Sequence, residues 1–96
     1  MRLELSTFVE GDLELIAANI AEDNPRRAVS FIWDIRMKLA AVARDPLIYQ
    51  LRPDIGEGAR MAGVGRYAIL FRVAGDVVRI ERVVWGGRDL PEVLSP

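Results

Sequence analysis

Ninety-six residues, 51% of them apolar, with a mean hydropathy of +0.14, suffice for one packed core and lack the signature of a disordered chain. The chain has neither cysteine nor histidine, which excludes disulfides and thiolate or imidazole metal sites and removes the commonest general base. A net charge of −1 and a pI near 5.4 argue against a broad phosphate-binding surface. The charge is unevenly spread: residues 1–58 hold seven basic and ten acidic side chains, residues 59–96 six arginines and four acids. The opening MRLELSTFVEG has no signal-peptide core and no run reaches membrane-spanning length. One cytoplasmic domain over 1–96 is expected, with no membrane role.

Arg2 to Ser6 alternates, with Leu3 and Leu5 on one face, and predicts a short strand. Thr7 and Glu10 have the spacing of a capping box, followed by an apolar stripe at Leu13, Ile16, Ala17 and Ile20 that predicts a helix. Asp23-Asn24-Pro25 ends it and starts another, with Asn24 as N-cap and Pro25 in the first turn. Ala28, Phe31, Ile32, Ile35, Leu39 and Val42 carry that second helix to Asp45-Pro46, where proline stops it. A tight turn between two amphipathic helices makes an antiparallel hairpin. Residues 46–58 read as a loop packed by Leu47, Ile48, Leu51 and Ile55.

Three strands follow. Arg60–Val64 is joined by a Gly65-Arg66 turn to a strand placing Tyr67, Ile69, Phe71 and Val73 on one face. Ala74-Gly75-Asp76 then turns into Val77–Trp85, whose inner row is expected to be Val78, Ile80 and Val84. Gly86-Gly87 ends that strand, and the tail RDLPEVLSP carries a short helical turn. The order β-α-α-β-β-β predicts an α+β two-layer domain, a helical hairpin packed on an antiparallel sheet, with the last three strands a meander and the place of strand 1 left open.

Arg66, Arg72, Arg79, Arg82 and Arg88 are spaced along an otherwise apolar stretch. Guanidinium groups there are unfavourable unless something pairs with them, so the segment reads as a recognition surface. Three segments, AEDNPRRAVSFIWDIR, GRYAILFRV and RVVWGGRDLP, together resemble the RelE/ParE superfamily of toxins from type II toxin–antitoxin systems, and ParE more than RelE. The resemblance spans the chain and implies the same β-α-α-β-β-β fold. It implies a non-enzymatic toxin that binds DNA gyrase and is neutralised by a ParD-like antitoxin, without a cofactor or metal and without specific nucleic-acid binding of its own. Two other readings stay open: a RelE-like ribosome-dependent mRNA endoribonuclease, and a degenerate toxin that acts as an antitoxin-binding corepressor. Where the family's terminal motif commonly has histidine this chain has Trp85, and no tyrosine follows Tyr67, so the acid–base pair for phosphodiester cleavage has no obvious members.

Candidate contacts for target or antitoxin are Arg60, Arg66, Tyr67, Arg72, Arg82, Trp85 and Arg88. Arginine forks suit the carboxylates of a protein partner, and Trp85 beside them has the composition of an interface hot spot. Each also has a plainer reading: solvated strand ends for Arg60 and Arg66, core for Tyr67, a solvated sheet face for Arg72, a rim position for Arg82, a cover over the open core end for Trp85, and a pair with Asp89 for Arg88. Phe8, Trp33 and Met37 lie off the helical stripes and are candidates for a groove that receives an antitoxin helix.

Overall fold

The computed structural model describes residues 1–95 of the chain; Pro96, the end of the tail, lies outside them. The elements run β1 (Arg2–Leu5), α1 (Val9–Ala21), α2 (Pro25–Arg44), a 3₁₀ turn at Pro46–Ile48, β2 (Arg60–Val64), β3 (Tyr67–Ala74), β4 (Val77–Trp85) and α3 (Leu90–Leu94). This is the expected α+β order, with the tail's helical turn present as α3, where Asp89 accepts from the Glu92 amide at 3.4 Å.

The helical hairpin forms for the local reasons its sequence gives. Asn24 Oδ1 accepts a hydrogen bond from the Arg27 amide at 3.0 Å, and Pro25 occupies the first turn, where no amide donor is needed. Asn24→Ala is expected to lower stability by about 1 kcal/mol, read as a fall in Tm of roughly 4–8 °C in thermal unfolding followed by circular dichroism. At the other end of the hairpin Arg36 pairs with Glu10 at 3.3 Å.

The capping box expected at Thr7 and Glu10 does not form. Helix α1 begins behind Phe8, which offers no side-chain cap, and Glu10 is turned to Arg36. The corner is held instead by buried Ser6, whose hydroxyl accepts from the Phe8 amide at 3.3 Å and donates to the Glu81 carbonyl at 2.5 Å. A bond to the sheet replaces a cap within the helix.

The strands lie in the order β1-β4-β3-β2. The meander β2-β3-β4 is antiparallel, while β1 adds parallel to β4 from Arg2↔Val77 to Leu5↔Ile80, so the sheet is mixed. The hairpin loop Gly65-Arg66 has φ +56° at Gly65, at the first central position, where glycine is the residue without a steric penalty. A Cβ there would also press on the Phe31 ring at 3.2 Å.

One face of the sheet packs against the helices. Leu13 and Ile16 of α1 and Phe31, Ile35, Leu39 and Val42 of α2 cover Ile69, Phe71, Val78, Ile80 and Val83. The alternate residues Ala68, Leu70 and Val84 gather on the opposite face with Ile55, Ala59 and Leu90, beneath the 46–58 loop and α3. Of the four residues expected to pack that loop, Ile55 is buried, whereas Leu47, Ile48 and Leu51 are exposed.

A bulge in β4 decides which side chains face the helices. Phe71 pairs with Ile80 but Leu70 with Arg82, leaving Glu81 as an extra residue. The alternation is therefore reversed beyond it. Val83 joins Val78 and Ile80 under the helices, and Val84, expected in that row, lies on the opposite face. Ahead of the bulge Arg72 and Arg79 stand directly across from each other, an unfavourable like-charge pair. Glu81 lies 3.8 Å from Arg72 and 3.4 Å from Arg79, and Glu4 also pairs with Arg79, so the row is neutralised.

Candidate functional site

Strand β1 ends at Leu5, and β4 runs on to Trp85. The last part of β4 thus has no strand on that side, and the first turns of α1 cross the gap. Asp12 fills its upper end. Its carboxylate accepts from the Val83 amide at 3.0 Å and from both Nε and Nη2 of Arg82, at 2.9 and 2.8 Å. Asp12 is 9% exposed and the Arg82 side chain 22%. The two-pronged bond holds Arg82 further into its charged form, raising its pKa against the opposing effect of desolvation. The Phe8 ring centre lies 5.0 Å from the guanidinium carbon, a cation–π contact on the outer side.

Below this lock α1 and β4 enclose a recess of about 380 Å³. Leu15, Ile16 and Asn19 form the helical wall, Tyr67, Val83 and Trp85 the sheet wall, and Arg88 the rim. The walls are apolar and open: Leu15 is 62% exposed and Trp85 54%. The two glycines after Trp85 are matters of space. A Cβ on Gly87 would overlap the indole ring, and one on Gly86 would come within 3.2 Å of the Arg66 carbonyl oxygen, which the Gly86 amide bonds at 2.8 Å. Glycine lets the chain pass beneath Trp85 and close on the β2–β3 turn.

A family model described as "ParE toxin of type II toxin-antitoxin system, parDE" matches residues 3–90, from β1 to the start of α3 and so across the whole recess. The chain belongs to the ParE toxin family. A solved structure titled "Chromosomal ParDE TA system from P. aeruginosa" has the same fold, with a TM-score of 0.77, 22% sequence identity, and coverage of 88% of this chain and 95% of that one. No curated protein sequence matches the chain.

In this ParE toxin, four of the residues singled out from sequence line the recess together: Tyr67, Arg82, Trp85 and Arg88. Arg66 lies beside them, in an adjoining hollow that shares Tyr67 and Asn19. Arg66 and Arg88 are exposed, and neither guanidinium has a hydrogen-bond or ion-pair partner among the described residues. Arg88 does not pair with Asp89, which caps α3. Arg60 and Arg72 are not brought to this place. Arg60 donates to the Tyr49 carbonyl at 2.6 Å and Arg72 to the Glu57 carbonyl at 2.9 Å, so both fasten the 46–58 loop to the sheet.

Phe8, Trp33 and Met37 are all exposed but do not share one surface. Trp33 and Met37 follow Val29 at four-residue spacing along the outer face of α2, whereas Phe8 lies against Arg82 and lines a separate hollow with Val93 and Leu94. Sequence reasoning missed Leu15 and Asp12. Leu15 was legible as an apolar residue out of phase with Leu13, Ile16 and Ile20. Asp12 was not, because its role depends on where β1 stops. Among the described residues no group of three or more carboxylates gathers as a metal site, and no helix is long and apolar enough to cross a membrane.

Proposed function

We propose that this ParE toxin acts in the cytoplasm, as a single unit over residues 1–96, by binding DNA gyrase and stalling it on cleaved DNA, and that a ParD-like antitoxin neutralises it. The family match over 3–90 carries this reading. A poison that works by binding needs exposed anchors more than acid–base groups. The recess offers Tyr67, Trp85 and Arg88, with Arg66 alongside, the aromatic and arginine composition typical of hot spots. A non-enzymatic mode is favoured by the same chemistry. Among the described residues Asp12 is the one carboxylate in the lining, and Arg82 and the Val83 amide already occupy it, while the sequence has no histidine or cysteine to move a proton. In this reading the outer face of α2, with Trp33 and Met37, receives an antitoxin helix, and Arg60 and Arg72 act indirectly by holding the loop.

The test is supercoiling by purified gyrase with the protein added. Loss of supercoiling or accumulation of cleaved DNA is expected, and relief of either by the antitoxin. Full supercoiling at a large excess of toxin removes the reading. Cleavage of messenger RNA on programmed ribosomes would establish the endoribonuclease alternative in its place.

A further inference from the structure

The recess has a backbone wall as well as a side-chain wall. The Gly86 amide bonds the Arg66 carbonyl of the β2–β3 turn at 2.8 Å. By the alternation of an antiparallel ladder, residues 84 and 86 turn their polar backbone groups toward β3 and its turn, and residues 83 and 85 turn theirs the other way. The Val83 amide confirms that direction by bonding Asp12 at 3.0 Å. The next two groups on the same edge are the Val83 carbonyl and the Trp85 amide. Neither has a hydrogen-bond partner among the described residues. They flank Val84, and all three residues line the recess. This short open stretch is what remains of the edge that β1 covers up to Ile80 and Asp12 blocks at Val83.

From this arrangement we infer that the recess binds an extended, acidic segment of a partner protein as a parallel strand continuing the line of β1. One residue of such a segment satisfies both open groups, its N–H donating to the Val83 carbonyl and its C=O accepting from the Trp85 amide. That residue stands opposite Val84 and turns its own side chain, a carboxylate, to the Val84 face to meet Arg88 at the rim, while the apolar side chains of its two neighbours lie on the side of Leu15 and Trp85. Charge complementarity selects the acidic occupant. The rim cations have no acceptor of their own, and Asp12 is engaged by Arg82, so nothing in the lining is left to attract a basic segment. A second copy of this chain is disfavoured by the same charges, since its own rim would bring arginines to arginines. Main-chain bonds at a sheet edge supply affinity and the flanking pockets supply specificity in such additions. The inference deepens the reading of the recess as the contact site of a ParE toxin and rests on it.

The test uses the intact protein and a peptide of alternating valine and aspartate, about nine residues long. Three probes are compared: this peptide, its counterpart with lysine for aspartate, and a fully N-methylated version that keeps the side chains but has no amide donors. Amide exchange followed by NMR is expected to show the Trp85 amide slowed by about tenfold with the acidic peptide. The lysine and N-methylated peptides, and the Arg88→Glu variant with the acidic one, are each expected to bind at least about tenfold more weakly. Absence of binding, equal binding of the lysine or N-methylated peptide, or binding that leaves Trp85 exchange unchanged overturns the inference. Gyrase supercoiling separates the two readings. Inhibition with no strand addition leaves the proposed function standing alone, and strand addition without inhibition removes gyrase but keeps the site.

Discussion

Asp12→Ala is expected to lower the unfolding free energy by about 3 kcal/mol, the lower end of what breaking a buried charge pair costs. The substitution strands two groups at once. Arg82 keeps its charge with its side chain only 22% exposed, and the Val83 amide loses its acceptor, which alone is unfavourable by about 1–3 kcal/mol. For a chain of this size a loss of that order corresponds to a fall in Tm of roughly 12–24 °C. Urea unfolding of the wild type, Asp12→Ala, Arg82→Met and the double variant measures it. Arg82→Met is expected to cost less, because Asp12 retains the Val83 amide and gains water. The double variant is expected to be more stable than the sum of the two single losses, since the uncompensated charge is gone. Additive losses would mean that the pair is not coupled.

Trp85→Ala is the complementary case, with the fold intact and the function lost. The side chain is 54% exposed and rests on Gly87 at the end of β4, so its removal empties little buried volume and Tm is expected to stay within a few degrees of wild type. An aromatic anchor at the centre of an interface is worth about 2 kcal/mol or more, roughly a thirtyfold change in affinity. The concentration of toxin needed for half-maximal gyrase inhibition is therefore expected to rise by that factor. An unchanged inhibition curve would place the contact surface outside the recess.

The parts of the fold governed by short-range periodicity were legible in the sequence. The helical stripes, the Asn24-Pro25 junction, the Gly65 and Gly75 turns and the antiparallel meander all appear where the residue pattern places them. What was not legible depends on contacts between distant segments. Thr7 and Glu10 have the right spacing for a capping box, yet Ser6 has a better partner in the Glu81 carbonyl. Strict alternation put Val84 under the helices and made Arg82 look like an intruder in an apolar row. One extra residue at Glu81 turns Arg82 and Val84 to the other face and admits Val83. Arg60 and Arg72 resembled contact residues because composition cannot distinguish an arginine bonded to a loop carbonyl from one without an acceptor. Leu15 was visible as an out-of-phase leucine, but that it faces Trp85 follows only from the early end of β1.

The two tryptophans also give the molecule a pair of built-in optical reporters. Trp33 stands on the outer face of α2 and Trp85 at the mouth between α1 and β4, both in contact with water and on separate surfaces. Replacing either with phenylalanine leaves one emitter, whose spectrum then registers what covers its own surface. Occupancy of the helical hairpin and of the strand end can thus be followed independently in one assembly, without an attached dye.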